Sequence, residues 1–188
     1  GRDTRPGMPS GNHELHLGCL TRRRCRSLSY HAMSKPALKS SAPDFTAPVT
    51  GGDHAPGSTI RLKDLRGKPV VLYFYPKDDT PGCTKQACAL RDSWAALKKK
   101  AQLFGVSPDT VKKHDKFITK YELPFPLIAD EDHAIAEAYG VWVEKSLYGR
   151  KYMGMERSTF VIDATGKISA ILEKVKPEEH LDQLLEVL

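Results

Sequence analysis

The period of the apolar positions changes several times along the chain, and each change marks an element. Val70-Val71-Leu72-Tyr73-Phe74-Tyr75 is apolar at every position. A short run of β-branched and aromatic residues between Arg66-Gly67-Lys68-Pro69 and Pro76 predicts a central strand covered on both faces. From Thr84 to Lys100 the pattern predicts a helix, and its three terminal lysines suit the negative end of the helix dipole. Leu103–Val106 predicts a second buried strand, closed by Ser107-Pro108-Asp109. Ser107 or Asp109 is placed to cap a helix from Thr110 to Glu122, which Pro124 and Pro126 stop. Leu127–Ala129 reads as a short strand, and Asp130 to Tyr139 as a helix ended by Gly140.

The flanking regions are shorter pieces. The domain begins near Ser41-Ala42-Pro43-Asp44-Phe45, and Gly51-Gly52-Asp53 reads as a turn between short extended segments. Ile60 to Leu65 is a short amphipathic segment. Thr159–Asp163 and Lys167–Leu172 predict a hairpin around Ala164-Thr165-Gly166. Pro177 to Leu188 predicts an amphipathic terminal helix with Pro177 in its first turn. Strands alternating with helices, then a hairpin and a last helix, imply an α/β fold with helices on both faces of the sheet.

Charge changes the picture only at one end. The 188 residues carry a formal net charge of +6, which invites a nucleic-acid partner. Of the 29 basic and 23 acidic residues, eight and two lie in residues 1–40, which leaves 21 of each in residues 41–188. The domain is therefore neutral, and its charge does not point to nucleic acid. No apolar run approaches the ~20 residues of a membrane helix, so no membrane role is expected. A secretory signal is not expected either. Four cysteines are too few for a disulfide scaffold and point to working thiols in a reducing, cytoplasmic setting.

Residues 1–40 are rich in Gly, Pro, Ser, Arg and His without periodicity, and read as a disordered basic extension. Their Arg-rich, acid-poor character fits an organellar transit peptide over residues 1–32. The alternative is inert or non-native sequence, with Met33-Ser34 as a plausible native start. Cys19 and Cys25, with His13 and His16, match no closed zinc site, and no metal is expected.

The chemistry concentrates in Pro76-Lys77-Asp78-Asp79-Thr80-Pro81-Gly82-Cys83-Thr84-Lys85-Gln86-Ala87-Cys88. Cys83 falls where a strand ends and a helix begins. Unsatisfied N–H groups and partial positive charge at a helix start favour a thiolate. Thr80 can place a hydroxyl beside the sulfur. Pro76 and Pro81 stiffen the loop, Pro76 and Tyr75 can shield it from water, and Gly82 lets backbone come close to the reacting atoms. A buried structural cysteine in a Pro-rich turn is the alternative. Cys88 lies five residues on. On one ideal helix the two Cα atoms stand about 8.7 Å apart, beyond the ~7 Å that a disulfide permits. A Cys83–Cys88 bond therefore requires the first helical turns to unwind. Alternatively, Cys88 is only a small apolar helix residue.

The pattern Pro76-x-x-x-Thr80-x-x-Cys83 resembles the active-site signature of the peroxiredoxins. A second cysteine five residues later resembles their bacterioferritin-comigratory-protein/peroxiredoxin Q branch. Ala42-Pro43-Asp44-Phe45, Phe74-Tyr75-Pro76, Gly105-Val106-Ser107, Phe125-Pro126-Leu127, Tyr139-Gly140-Val141 and Glu156-Arg157-Ser158-Thr159-Phe160 fit as well. The resemblance runs from about Ala42 to the C-terminus. It implies a thioredoxin-like fold, with a central mixed β-sheet and helices on both faces. It implies a peroxidatic role for Cys83, a resolving role for Cys88, and Thr80 and Arg157 as the pair that polarises the peroxide and holds the thiolate.

The implied activity is reduction of hydrogen peroxide and organic hydroperoxides through a Cys83 sulfenic acid and an intramolecular Cys83–Cys88 disulfide. Thioredoxin would recycle the disulfide, with no metal, flavin or haem, in a monomer serving antioxidant defence and redox homeostasis. Two other readings remain open from the residues. A thiol–disulfide oxidoreductase of the same fold usually spaces its cysteines two apart. A non-enzymatic chaperone or binding protein would keep its activity in a Cys83→Ser variant.

Overall fold

The computed structural model describes residues 34–188, and these belong to one compact unit. The expectations for Cys19, Cys25, the two histidines beside them and the transit peptide lie outside the described residues.

A seven-stranded mixed sheet runs in the order β2-β1-β5-β4-β3-β8-β9. The strands are β1 (Thr46–Gly51), β2 (His54–Arg61), β3 (Val70–Phe74), β4 (Gln102–Ser107), β5 (Leu127–Ala129), β8 (Ser158–Ile162) and β9 (Ile168–Leu172). Strands β3, β4 and β5 are parallel to one another, and β8 joins β3 antiparallel, with Leu72 opposite Phe160. The helices are α1 (Pro81–Asp92), α2 (Trp94–Lys100), α3 (Val111–Tyr121), α4 (Ala134–Ala138) and α5 (His180–Val187). Just ahead of Ser41 the chain already joins this body, since Lys39 N donates to Ile168 O.

All five residues of β3 are buried, and the strand serves two cores. Val70, Leu72 and Phe74 pack with Phe104, Phe160, Tyr139 and Ile135 of α4. Val71 and Tyr73, with Tyr75 just beyond, pack with Leu90 of α1, Leu97 of α2, Phe117 of α3 and Leu184 of α5. Helices therefore cover both faces, as the continuous apolar run requires. Each such fully buried side chain contributes about 1.5–3 kcal/mol relative to exposure.

Five elements differ from the sequence reading. The terminal helix starts at His180 rather than Pro177, after a turn over residues 177–179. The long helix expected from Thr84 to Lys100 starts earlier, at Pro81, and breaks at Ser93, whose N–H bonds to Ala89 O and Arg91 O. The break brings the Trp94 ring to 5.8 Å from Phe125 while Leu90 and Leu97 both stay buried. Thr110, rather than Ser107 or Asp109, caps α3 by accepting from Lys113 N. The helix after Asp130 is shorter than expected, because Asp130 is buried and accepts from Ile135 N and Ala136 N at its start. Finally, β6 (Trp142–Leu147) and β7 (Arg150–Met155) form a separate antiparallel hairpin where no element was expected. Its turn residues Tyr148 and Gly149 both have positive φ, which suits a two-residue hairpin loop. Its largely exposed positions mix apolar with charged residues, Leu147, Tyr152 and Met153 among Lys145, Arg150 and Lys151, so it carries no period-two apolar signal.

Candidate active site

The carboxyl end of β3 runs into the loop Pro76–Thr80, which is fastened from several directions. Tyr75 Oη donates to Asp78 Oδ1 at 2.6 Å, and His114 Nδ1 lies 2.7 Å from Asp78 Oδ2. Asp78 N donates to Asp109 Oδ2 at 2.7 Å. Asp79, held at φ 54°, accepts from Lys120 Nζ and Tyr121 Oη of α3 at 2.8 and 2.6 Å. The loop is thus tied to the end of β4 and to α3, and it delivers the chain into α1 at a set angle. Pro76 is half-buried beside the fully buried Tyr75.

Thr80 is the N-terminal cap residue of α1, with extended backbone and Pro81 in the first helical position. Its hydroxyl donates to Lys77 O at 3.1 Å. Proline is well placed there because it has no N–H to satisfy and its φ is already helical. Cys83 then falls in the first turn of α1 and is 2% exposed. At that position the Gly82 and Cys83 N–H groups have no acceptor within the helix, and the helix dipole adds partial positive charge.

Arg157 arrives from far along the chain, just before β8. Its Nη2 donates to Cys83 Sγ at 3.2 Å. Its Nη1 donates to Gln86 Oε1, one helical turn beyond Cys83. Glu156, the neighbouring carboxylate, is taken up by Lys35 Nζ at 2.5 Å and Ser158 Oγ at 3.3 Å. Arg157 therefore has a neutral amide and a sulfur as partners, and its charge stays directed at the sulfur. The backbone behind it is pinned by Val175 N donating to Arg157 O. Gly82 keeps the approach open: a Cβ there would stand 3.3 Å from Pro177 Cγ and 3.6 Å from Arg157 Nη2.

Behind the guanidinium lies a chain that the sequence reading did not anticipate. Gln86 Nε2 is 2.8 Å from His180 Nδ1, and His180 Nε2 is 2.8 Å from Thr159 Oγ1. Gln86, His180 and Thr159 are each at most 1% exposed. Burial, reinforced by the nearby Arg157, pushes the His180 pKa down to about 4. Burial first, and then the Asp78 and Cys83 charges, push the Tyr73 phenol well up, so it is a neutral neighbour of the site. Gln86 and His180 are separated by 94 residues, and no local spacing could have paired them.

Cys88 lies in the same helix as Cys83, half-buried, and both cysteines are free thiols. With both on α1, the helix geometry that forbids a disulfide applies. No metal-binding group of three or more His, Cys, Asp or Glu side chains occurs among the described residues. No helix among them is long and apolar enough to cross a membrane.

Residues 38–171 match the AhpC/TSA family. A bcp peroxiredoxin of Coxiella burnetii is 50% identical over 145 residues, covering 77% of this chain and 93% of the relative. Peroxiredoxin Bcp of Bacillus subtilis is 49% identical over 138 residues, covering 73% and 87%. Among solved structures, the bacterioferritin comigratory protein of Xanthomonas campestris, described in terms of its alkyl peroxide reduction activity, superposes with a TM-score of 0.70 at 36% identity. That match covers 76% of this chain and 88% of the other. The mixed sheet and its helices are the thioredoxin-like arrangement of those structures.

Proposed function

The chain belongs to the AhpC/TSA family, with the thiol peroxidase activity of its bacterioferritin-comigratory-protein and peroxiredoxin Q relatives, and on that premise we propose that Cys83 is the peroxidatic nucleophile and Cys88 the resolving thiol. The observation that carries this reading is the Arg157 Nη2–Cys83 Sγ hydrogen bond of 3.2 Å in the first turn of α1.

The Cys83 thiolate attacks the terminal oxygen of a hydroperoxide. The O–O bond breaks, water or an alcohol leaves, and the sulfur becomes a sulfenic acid. Arg157 stabilises negative charge at the sulfur before attack, and a charge-assisted bond of this kind is among the stronger ones. The free N–H groups at the helix start face the same spot. We assign Thr80 to the peroxide oxygen, which requires its hydroxyl to turn from Lys77 O when substrate enters. Pro76 closes one side of the loop against water.

Resolution follows from the distance between the cysteines. The first turns of α1 unwind and Cys88 attacks the sulfenic sulfur, releasing water and forming the intramolecular disulfide. A dithiol returns both thiols through a mixed disulfide. Thioredoxin is the dithiol we propose, and the hydroperoxide is hydrogen peroxide or an alkyl hydroperoxide such as the Xanthomonas relative reduces. The residues named need no metal, flavin or haem. Since both cysteines are in one helix, a monomer suffices, and a reducing compartment such as the cytoplasm suits the cycle.

The test is mass spectrometry after stoichiometric hydrogen peroxide. A Cys83–Cys88 disulfide is expected in the parent chain. Cys83→Ser should abolish turnover, and Cys88→Ser should reduce about one equivalent of peroxide and stop with Cys83 oxidised. Full thioredoxin-driven turnover by Cys88→Ser would refute the resolving role, and peroxide-dependent turnover by Cys83→Ser would refute the whole scheme.

A further inference from the structure

We propose that His180 is a positioning residue of the peroxidase site: by accepting a hydrogen bond at Nδ1 it locks the Gln86 amide with its oxygen toward Arg157, and so holds the guanidinium on Cys83. The proposal rests on the reading of Cys83 and Arg157 given above.

Arginine has five N–H donors and no acceptor. The Gln86 atom that meets Arg157 Nη1 must therefore be the oxygen, Oε1. That leaves the Gln86 NH2 group, a donor only, against His180 Nδ1 at 2.8 Å. Nδ1 must then offer its lone pair, so the ring carries its proton on Nε2. From Nε2 the proton points to Thr159 Oγ1, also at 2.8 Å, which accepts it. Every step is directional, and each is set by the one before it. The chain joins the loop before β8, helix α1, helix α5 and strand β8.

An amide is almost symmetric in shape, and its two ends differ only in hydrogen bonding. Packing around Gln86 cannot choose between them, but a partner that only accepts can. In the flipped orientation an NH2 group would face the guanidinium, donor against donor, on a Gln86 side chain that is 1% exposed. An unpaired buried donor is costly, and Arg157 would swing away from that contact and from the sulfur with it.

The ring must be neutral for this to work. The groups facing it are Gln86 of α1, Thr159 of β8, Tyr73 of β3 with ring centroids 5.9 Å apart, and Arg157. Of these only Arg157 is charged, and it repels a second proton. Burial acts in the same direction.

The test uses the full-length chain with three substitutions. His180→Phe keeps an aromatic ring but removes the acceptor. His180→Asn can return an acceptor oxygen near the place of Nδ1. Gln86→Glu gives a carboxylate that accepts from Arg157 in either orientation, so the ring no longer has an orientation to decide. Second-order rates with hydrogen peroxide, and the alkylation rate of Cys83 by iodoacetamide at about pH 7 in a Cys88→Ser background, are measured for each.

His180→Phe should lower both rates about tenfold or more, as expected for loss of a hydrogen bond to a charged group. His180→Asn should stay within about threefold, and His180→Phe on the Gln86→Glu background should cost less than about twofold. Equal losses with Gln and with Glu at position 86, or no loss in His180→Phe, would overturn the proposal. A readout on the unaltered chain is independent of any variant's folding: nitrogen-15 NMR should find the His180 proton on Nε2, and the Nδ1–H tautomer would overturn the proposal outright. If the unaltered enzyme fails to turn over peroxide, the peroxidatic reading falls, while the alkylation rates and the tautomer still decide the role of His180.

Discussion

Lowering the pH should destabilise this fold through His180 by a predictable amount. The ring is buried, and its pKa falls from an ordinary 6.5 to about 4. In the unfolded chain the ring regains 6.5, so between these values the unfolded state binds the extra proton. Stability then rises with pH across that window. The contribution is complete above about pH 6.5 and is lost progressively as the pH falls toward 4. At about pH 5 folding must strip a proton that the unfolded ring holds, which costs about 2 kcal/mol at 1.36 kcal/mol per pH unit. Other titrating groups also move with pH, so the measurement is a difference between two proteins. Urea unfolding of the parent and of His180→Asn is compared at about pH 7 and about pH 5. The parent should lose about 2 kcal/mol more than the variant over that interval. Equal losses in the two proteins would show that the buried ring takes its proton freely in the folded state. That outcome would refute the reasoning from burial and from the Arg157 charge.

Other outcomes follow from single contacts. Arg157→Met removes the donor at 3.2 Å from Cys83 Sγ and should slow peroxide reduction about ten- to a hundredfold, read as kcat/KM in a coupled thioredoxin assay. Tyr73 Oη is buried without a hydrogen-bond partner, so Tyr73→Phe should leave unfolding stability unchanged or raise it by up to about 1 kcal/mol. Gly105→Ala should cost about 1–3 kcal/mol, because its Cβ would lie 2.6 Å from Leu127 Cδ2 and 2.7 Å from Tyr73 Oη; a neutral result in urea unfolding would contradict the packing around Tyr73. Phe160 is 0% exposed and meets Phe74 and Tyr139 edge-on at 5.7 and 5.0 Å, so Phe160→Ala should cost about 3–5 kcal/mol.

Much of this was legible in the chain itself, wherever a signal is local. The continuous run at Val70–Tyr75 can satisfy both its faces only by being covered twice, and it is covered twice. Pro76, Thr80, Pro81, Gly82 and Cys83 sit within eight positions, so a strand end and a helix start suffice to bring them to one place. The mixed sheet was likewise carried by a resemblance that the relatives support. Less legible was the break at Ser93, because the apolar spacing of Leu90 and Leu97 also suits an unbroken helix. The hairpin Trp142–Met155 escaped because its apolar residues do not alternate with polar ones and its turn is Tyr148-Gly149 rather than the commoner Asn-Gly.

The sequence by itself thus determined the central strand, the helix start behind it and the cysteine at their junction. These depend on period, on proline and glycine, and on residues within a few positions of one another. Only the tertiary structure decided what stands around the sulfur. Arg157 is 74 residues from Cys83, and His180 is 94 from Gln86. Pairings over such distances are set by how β8 and α5 pack against β3 and α1. Within them, the direction of each hydrogen bond depends on which atom faces which, and a one-dimensional pattern does not carry that direction. The stretch from Pro76 to Cys88 carries the thiol, but the orientation of one buried amide, 94 residues from its histidine in the chain, is what aims the charge at it.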